Sequence, residues 1–293
     1  MSLPIALDTL PCVAVIIRNA LIDARRRLSE APFQPDTREA TLLLGHILGW
    51  SEAQVLARQN EALQTFSAGS FELALTRRLA GEPVAYVLGF KEFYGRQFHV
   101  DRRVLIPRPE TEHLVEVALE LPLPARPWVV DIGTGSGCIA CTLGLELPAS
   151  NLVATDTSAD ALAVARDNLR LHGLESRLKL LAADLAGALD QSRFDLVVSN
   201  PPYIGRDEAA SLSSEILDFE PDTALFAGAH GDAVYQRLLA ELAGLRAETW
   251  LVLEIGAGQQ DLIQRLAAAS PFRLLEIRPD LAGHPRIALL QRR

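Results

Sequence analysis

The sequence predicts an α/β fold, in which a mostly parallel sheet with helices on both faces and an antiparallel edge strand follows a small helical domain. From Trp128 onward, short apolar β-branched runs alternate with segments of helical period, a pattern typical of a covered parallel sheet. The last two apolar runs, 272–277 and 286–290, have no helix between them, which predicts the antiparallel edge. Residues 1–82 carry helix-capping patterns instead.

Composition limits the class of protein. The chain of 293 residues has a net charge of −9, and because residues 1–80 are neutral, the later part holds the whole acidic excess. An acidic region argues against tight electrostatic binding of nucleic acid. Three cysteines do not make a disulfide framework, the histidines have no metal-ligand spacing to a cysteine, and no apolar run could span a bilayer. We expect a cytoplasmic protein without a metal, membrane or direct nucleic-acid partner.

Helix signals define the first part, residues 1–82, which we expect to be an accessory or recognition domain. Asp36-Thr37-Arg38-Glu39 and Ser51-Glu52-Ala53-Gln54 both resemble capping boxes, and Gly49 is a predicted helix stop. A further helix is predicted over 71–80, before Gly81.

Residues 83–106 change character and predict a β-hairpin connector. Two short strands, 86–90 and 97–100, flank Gly95. The third part, residues 107–293, opens with a predicted helix, since Pro107-Arg108-Pro109-Glu110-Thr111-Glu112 places prolines and acidic residues at a helix start.

The elements of the third part follow in order. Its predicted strands are 128–132, 152–155, 178–181, 196–198, 250–255, 272–277 and 286–290. Its predicted later helices are 159–171, 234–243 and 260–268.

A glycine-rich turn, Asp131-Ile132-Gly133-Thr134-Gly135-Ser136-Gly137, follows the first of these strands and opens a helix. Glycines let a ligand approach the backbone closely, and a helix start leaves free N–H groups. Asp156 ends the next strand, where a carboxylate can accept from both hydroxyls of a ribose, which fits an adenosine-bearing ligand. Asp184, after the third strand, could accept from an adenine amino group. The alternatives are a helix N-cap for Asp156 and a structural role for Asp184.

Asn200-Pro201-Pro202-Tyr203 ends a buried strand abruptly. Prolines cannot donate to a sheet ladder and hold φ near −65°, so the backbone after Asn200 is stiff. Ligands of open α/β sheets bind at this edge, although Asn-Pro is also a common turn opener. The pair Cys138 and Cys141 forms a C-x-x-C, which we interpret as small core residues rather than a redox motif.

Together these motifs resemble the class I methyltransferases that use S-adenosylmethionine, and most closely the protein-glutamine N5-methyltransferases of peptide chain release factors, the PrmC/HemK family. The similarity also extends to the segments before the glycine-rich turn. They are Glu82-Pro83-Val84-Ala85-Tyr86, Glu92-Phe93-Tyr94-Gly95 and Leu105-Ile106-Pro107-Arg108-Pro109-Glu110-Thr111-Glu112.

The resemblance implies a Rossmann-like fold, S-adenosylmethionine as methyl donor, S-adenosylhomocysteine as product, and a monomer that methylates a release-factor glutamine. The implied catalytic residues are Asn200, Pro201 and Tyr203, with Pro202 added for the substrate. The implied cofactor residues are Gly133, Thr134, Gly135, Ser136, Gly137, Asp156, Asp184, Leu185 and Asn200. Residues 1–82 would then recognise the substrate.

Two positions depart from the family pattern. Leu185 stands where an aromatic residue usually follows the acid, and Asp222 stands where a basic residue is expected. The roles of Arg108 and Glu110 stay open. Three alternatives also stay open: a glutamine methyltransferase of a ribosomal protein, a DNA adenine-N6 methyltransferase, and a cofactor-binding adaptor without catalysis.

Overall fold

The computed structural model describes residues 15–293, which divide into two compact units after Leu88. The first fourteen residues of the predicted helical domain lie outside the described residues. The division falls beyond the predicted boundary at residue 82, because one more helix belongs to the first unit.

The first unit is helical. Its helices are α1 (Ile17–Ser29), α2 (Glu39–Leu48), α3 (Glu52–Ala57), α4 (Thr65–Leu79) and α5 (Val84–Leu88). Their apolar faces meet in one core that includes Leu21, Leu28, Leu44, Phe71 and Leu75. The spacing of these residues along the helices produces this packing, since positions three or four apart share a face.

Two predicted helix signals in this unit are confirmed. Ser51 caps α3 in a reciprocal capping box, in which its Oγ accepts from the Gln54 N–H and the Gln54 side chain accepts from the Ser51 N–H. Gly49 follows α2 with a left-handed φ of 66°, which glycine adopts without steric cost.

Of three other predictions here, two are wrong and one helix is confirmed with an earlier start. Asp36 does not cap α2, because its Oδ1 accepts from the backbone N–H of Arg38 at 2.8 Å in a local turn. The helix predicted over 71–80 already begins at Thr65. The predicted strand 86–90 is mostly α5, since Pro83 supplies a helical first turn that accepts from Tyr86 and Val87.

The second unit begins with a hairpin of β1 (Phe90–Phe93) and β2 (Arg96–His99), as the sequence predicts around Gly95. The strands that follow are β3 (Trp128–Ile132), β4 (Asn151–Asp156), β5 (Leu178–Ala182), β6 (Leu196–Ser199), β7 (Trp250–Glu254), β8 (Phe272–Pro279) and β9 (Pro285–Arg292). The helices are α6 (Glu112–Leu119), α7 (Cys138–Glu146), α8 (Ala159–Leu171), α9 (Ser214–Phe219), α10 (Asp222–Leu225), α11 (Ala233–Glu241) and α12 (Gln260–Ala268).

In the part of the chain that the structure describes, seven strands form one sheet in the order β5-β4-β3-β6-β7-β9-β8. The first five of these are parallel neighbours, and β9 runs antiparallel to both β7 and β8. The predicted antiparallel edge is therefore confirmed. The last strand, β9, lies between β7 and β8, and β8 forms the edge of the sheet. The sheet and its helices therefore have the predicted α/β architecture.

Two apolar cores cover the two faces of the sheet. Val129 points to the face covered by α6, α7 and α8, and Val130 points to the face covered by α11 and α12. Because neighbouring residues of a strand face opposite sides, strands this apolar need helices on both faces. The helices leave the ends of the strands accessible, and polar side chains gather at one end.

Candidate active site

The sheet changes winding direction between β3 and β6. From β3 the chain moves outward through β4 and β5, then returns to β6 on the other side of β3. Loops after the carboxyl ends of two such strands diverge and leave a crevice, the usual ligand site of an open α/β sheet. The glycine-rich turn follows β3 and Asn200 follows β6, so both border it. Ser199 ties the two ends together, since its buried Oγ donates to the Ile132 carbonyl at 2.6 Å.

The glycine-rich turn is fastened to the end of β4. The N–H groups of Gly133 and Thr134 donate to the Thr155 carbonyl at 2.9 and 2.8 Å. Gly135 has a φ of 53°, and a Cβ at this position would meet no protein atom within 4 Å. The turn therefore presents bare backbone to open space, as a loop that cradles a ligand must.

The Asp156 carboxylate fixes the glycine-rich turn by a hydrogen bond. Its Oδ2 accepts from the Gly135 N–H and its Oδ1 from the Ser158 N–H, both at 2.9 Å. The N-cap of α8 is Ser158, whose Oγ accepts from Ala161, so the N-cap alternative for Asp156 is wrong. Each carboxylate oxygen keeps a lone pair for a further donor.

A cavity of about 320 Å³ opens above these groups. It brings together predicted residues from four loops, namely Gly133, Gly135, Asp156, Asp184, Leu185, Asn200 and Pro202. Thr134 and Ser136 are instead buried within the turn, where the Thr134 hydroxyl donates to Asp131 at 2.6 Å. Gly137 packs against α8, because a Cβ there would lie 3.2 Å from the Ala165 Cβ.

Asp184 and Leu185 line the cavity of about 320 Å³, which is called the larger cavity below. Asp184 is exposed, and its Oδ2 accepts from Arg237 at 2.8 Å. Leu185 has a left-handed φ of 48°, which is uncommon for a residue other than glycine. The two side chains are therefore held on a constrained turn.

A smaller cavity of about 130 Å³ lies beside the larger one, and Asn200 and Pro202 line both. Pro201 and Tyr203 line the smaller cavity. Among the described residues, no hydrogen-bond donor reaches the Asn200 Oδ1 or the Pro201 carbonyl oxygen. Both residues with these free acceptors therefore line the smaller cavity, and Asn200 lines the larger one as well.

A buried carboxyl group lies behind Asn200. The Asn200 Nδ2 donates to the Thr111 hydroxyl at 3.2 Å, and Thr111 donates to Glu254 at 2.6 Å. Tyr203 contacts the other oxygen of Glu254 at 3.4 Å. Burial raises the pKa of Glu254 to about 7, against the lowering effect of the Thr111 hydrogen bond.

Arg108 and Glu110 also line the smaller cavity. Arg108 donates to the nearly buried Glu220 at 2.6 Å. Burial raises the pKa of Glu220, and the positive charge of Arg108 opposes that rise. Arg108 is thus an anchored cation at the wall of the cavity.

Cys138 and Cys141 lie in the core beneath the turn, as interpreted from the sequence. Burial raises the pKa of the Cys138 thiol to about 12. A thiol that stays protonated is a weak nucleophile, and packing accounts for both residues.

Comparison with known proteins extends these observations. The chain is 37% identical over 276 residues to the release factor glutamine methyltransferase of Koribacter versatilis, covering 93% of this chain and 97% of that one. It is 41% identical over 270 residues to the enzyme of the same name from Cereibacter sphaeroides, covering 92% and 96%. The chain belongs to the release factor glutamine methyltransferase family.

Both units take part in this family assignment. Residues 19–89 match the PrmC N-terminal domain, and residues 111–228 match the methyltransferase small domain. Among solved structures, the hMettl16 catalytic domain in complex with the MAT2A 3′UTR hairpin 6 superposes with a TM-score of 0.53 at 17% identity. That superposition covers 78% of this chain and 82% of the other, and it supports the fold alone.

The structure shows how this member of the release factor glutamine methyltransferase family accommodates Asp222. Asp222 begins α10, where a negative charge suits the helix start, and it pairs with Arg206 at 3.3 Å. Both side chains are exposed, so the pair contributes little stability.

Sequence reasoning missed Thr111, Glu254 and Asn168 as members of the site. Asn168 is fully buried on α8 and donates to the Ser136 carbonyl at 2.8 Å, which steadies the glycine-rich turn. For Glu254 a signal existed, since a single acid ends the apolar run Trp250–Leu253. Its partners could not be found from the sequence, because they lie far away along the chain.

Neither a bilayer-spanning helix nor a metal-binding cluster occurs within residues 15–293. No helix there has both the length and the apolarity to cross a bilayer. No cluster of three or more His, Cys, Asp or Glu side chains there has an arrangement that could hold a metal ion.

Proposed function

We propose that this protein transfers a methyl group from S-adenosylmethionine to the side-chain amide nitrogen, N5, of a glutamine in a peptide chain release factor. The observation that carries the proposal is the position of Asn200 between two cavities, with its Oδ1 and the Pro201 carbonyl free to accept. A primary amide has two N–H groups, and these two oxygens match them in number. The names of the relatives support the same substrate.

The larger cavity suits S-adenosylmethionine. The absence of side chains at Gly133 and Gly135 leaves room against the backbone, and Asp156 offers carboxylate oxygens to a ribose. Asp184 and Leu185 would lie beside the adenine. We propose the binding set Gly133, Thr134, Gly135, Ser136, Gly137, Asp156, Asp184, Leu185 and Asn200, of which Thr134, Ser136 and Gly137 act by shaping the turn. When bound, the cofactor supplies an electrophilic methyl group and leaves as S-adenosylhomocysteine.

The smaller cavity would take the glutamine. An amide nitrogen is a poor nucleophile, because its lone pair is delocalised into the carbonyl. The Asn200 Oδ1 and the Pro201 carbonyl oxygen would accept hydrogen bonds from the two amide N–H groups and aim the nitrogen at the larger cavity, so alignment provides much of the rate. Both hydrogen bonds would strengthen as the nitrogen gains positive charge. The N–CH3 bond would form as the S–CH3 bond breaks, and the cationic, acidic N-methylated amide would then lose one N–H proton to water as the product leaves the site. Tyr203 and Pro202 would pack against the planar amide and exclude water. The scheme uses no metal ion.

We also propose that the N-terminal helical domain recognises the release factor. It holds exposed apolar side chains, including Ile22, Phe66 and Leu73. A protein partner could bury these side chains, and contiguous apolar surface is typical of protein interaction sites. We propose that the protein acts as a cytoplasmic monomer on this protein substrate, without direct contact to nucleic acid or membrane.

A methyl-transfer assay tests this function. The purified chain and radiolabelled S-adenosylmethionine are offered a full-length release factor, a ribosomal protein preparation or double-stranded DNA, and the modified residue is located by mass spectrometry. We expect label in the release factor on a glutamine. A release factor whose glutamine is replaced by Ala is the matched control. Label found in DNA or ribosomal protein alone would overturn the proposed substrate.

A further inference from the structure

A chain of hydrogen bonds connects Asn200 to a buried carboxyl group. Asn200 Nδ2 donates to Thr111 Oγ1 at 3.2 Å, and Thr111 Oγ1 donates to Glu254 Oε2 at 2.6 Å. The three residues come from separate elements: the segment after β6, the turn before α6 and the end of β7. Thr111 is 2% exposed and Glu254 is fully buried, so water does not replace these contacts.

The chemistry of this chain fixes its direction. A threonine hydroxyl has one proton, and an ionised carboxylate only accepts. The Thr111 hydroxyl therefore donates its one hydrogen bond to Glu254 and can only accept a hydrogen bond from Asn200. Of the two ends of the Asn200 amide, the nitrogen must face Thr111, which leaves Oδ1 on the opposite side.

The orientation of Asn200 decides whether it can act in the proposed reaction. If the amide were turned over, its N–H groups would meet the N–H groups of a substrate amide, and the two would repel. We propose that Glu254 and Thr111 are positioning residues that hold the Asn200 amide with Oδ1 available to the substrate. This inference rests on the proposed function and adds two residues to it.

The charge on Glu254 is what makes the direction unique. A protonated Glu254 can donate to Thr111, which can then donate to Asn200 Oδ1 and turn the amide over. Burial raises the pKa of Glu254 to about 7, so both forms exist near neutral pH.

Four other groups surround this carboxyl. Glu110 raises its pKa, whereas Arg286 on β9 and the hydrogen bond from Tyr203 lower it. Tyr235 on α11 donates to the backbone carbonyl of Glu254. Because burial raises the pKa of both tyrosines above the ordinary phenol value, neither loses its proton where Glu254 titrates. Glu254 is therefore the group whose titration makes the hydrogen-bond chain depend on pH.

Kinetics of the full chain with a release factor test the two positions. Thr111→Val removes the hydroxyl at nearly constant volume, and we expect kcat to fall roughly ten-fold or more with little change in the KM for S-adenosylmethionine. Thr111→Ser keeps the hydroxyl and should stay within about three-fold of wild type. Thr142→Val is the matched control, since the buried Thr142 hydroxyl has no hydrogen-bond partner within residues 15–293. Equal kcat values for the Val and Ser variants at position 111 would overturn the proposal.

The pH profile tests the charge. In the wild type we expect kcat to rise with pH through about 7, as Glu254 loses its proton. Glu254→Gln can either donate to or accept from Thr111 and does not titrate, so kcat should be lower and this rise should disappear. A rise that persists unchanged in Glu254→Gln would show that another group controls it and would overturn the role of Glu254.

A measurement without substrate separates this inference from the proposed function. The side-chain ¹⁵N amide signals of Asn200, assigned by their loss in Asn200→Ala, should shift as the pH passes through about 7 in the wild type. They should not shift in Glu254→Gln. If no release factor is methylated but the signals behave in this way, the substrate is wrong and the hydrogen-bond chain stands. If the Asn200 signals of the wild type do not shift with pH, the proposed hydrogen-bond chain from Asn200 to Glu254 is wrong.

Discussion

Asn200 has the most demanding position in this chain, between two cavities and at the end of a buried strand. We expect Asn200→Ala to lower the single-turnover rate roughly a hundred- to a thousand-fold, the usual effect of losing a preorganised group of this kind. Asn200→Asp should be nearly as damaging, because Asp has no donor for Thr111 and adds a second carboxylate near Glu254. Both variants should still bind S-adenosylmethionine in calorimetry. If both variants kept more than about a tenth of the wild-type rate, Asn200 would not be the group that holds the substrate amide.

Asp156 should act on binding rather than on chemistry. We expect Asp156→Ala to weaken S-adenosylmethionine by about 1.5–3 kcal/mol for each charge-assisted hydrogen bond lost. It also removes the acceptor for the Gly135 N–H, which loosens the turn. Isothermal titration of a variant with a wild-type circular dichroism spectrum measures the effect. Replacement of Asp184, which is exposed and paired with Arg237, should cost less. Unchanged affinity in the folded Asp156 variant would remove that residue from the site.

Single residues could be predicted from the sequence where the signal is local. Asn200 and Asp156 both end apolar strands, and a parallel sheet gathers such positions at one edge. Thr111 and Glu254 depend on contacts 143 positions apart, which no local pattern records. Their spatial proximity follows from the order of strands in the sheet.

At the scale of elements, the turn between β3 and α7 has two glycines that should respond differently to the same change. Gly135→Ala meets no protein atom within 4 Å, but its methyl group would enter the larger cavity. We expect weak cofactor binding and a stability loss of about 1–2 kcal/mol from the left-handed backbone. Gly137→Ala places a Cβ 3.2 Å from Ala165, so its stability loss should be larger. Urea unfolding together with calorimetry distinguishes the two. A Gly135→Ala variant that binds S-adenosylmethionine with wild-type affinity would contradict the proposal that the glycine-rich turn binds the cofactor.

Elements were predicted well where one signal dominates. The helix Ala159–Leu171 has the predicted limits, because Ser158 caps it and Gly173 follows with a φ of 69°. The segment Val84–Leu88 has β-branched and aromatic residues that favour strands, yet it is a helix. There, Pro83 and the burial of Ala85 and Tyr86 outweigh local propensity.

At the scale of the whole molecule, two buried acids should make stability depend on pH. Burial raises the pKa of both Asp131 and Glu254 to about 7. Because the folded state then binds protons more tightly than the unfolded state, their contribution to stability falls as pH rises from their ordinary pKa values, 3.8 for Asp131 and 4.5 for Glu254, to about 7 and is constant above that. Glu254→Gln cannot titrate.

We therefore expect the stability of Glu254→Gln, measured relative to wild type, to increase by about 2–3 kcal/mol between pH 5 and pH 8. Urea midpoints at the two values measure this difference, and the contributions of other groups cancel in the comparison. Glu276→Gln, at an exposed site on β8, is the matched control. A difference that stays constant with pH would mean that Glu254 titrates normally.

The division of the chain into two units leads to a test with fragments. Phe93 and Phe98 of the β1–β2 hairpin are fully buried in the core under the sheet. Asn168 accepts from the His99 N–H at 2.7 Å and donates to the glycine-rich turn, so the hairpin also supports the proposed cofactor site. The β1–β2 hairpin of the predicted connector therefore packs as part of the second unit, whereas α5 belongs to the first unit.

A fragment of residues 89–293 should fold and bind S-adenosylmethionine with nearly wild-type affinity, because it keeps the hairpin, the sheet and both cavities. A fragment of residues 105–293 loses two buried aromatic rings, each worth about 3–5 kcal/mol, and should unfold at lower urea or fail to fold. The longer fragment should methylate a release factor slowly, since the proposed recognition domain is missing, and adding residues 1–88 as a separate chain should not restore the rate. Calorimetry, urea unfolding and the methyl-transfer assay measure these three properties. If the 89–293 fragment methylates full-length factor as fast as the intact chain, the helical domain has another purpose.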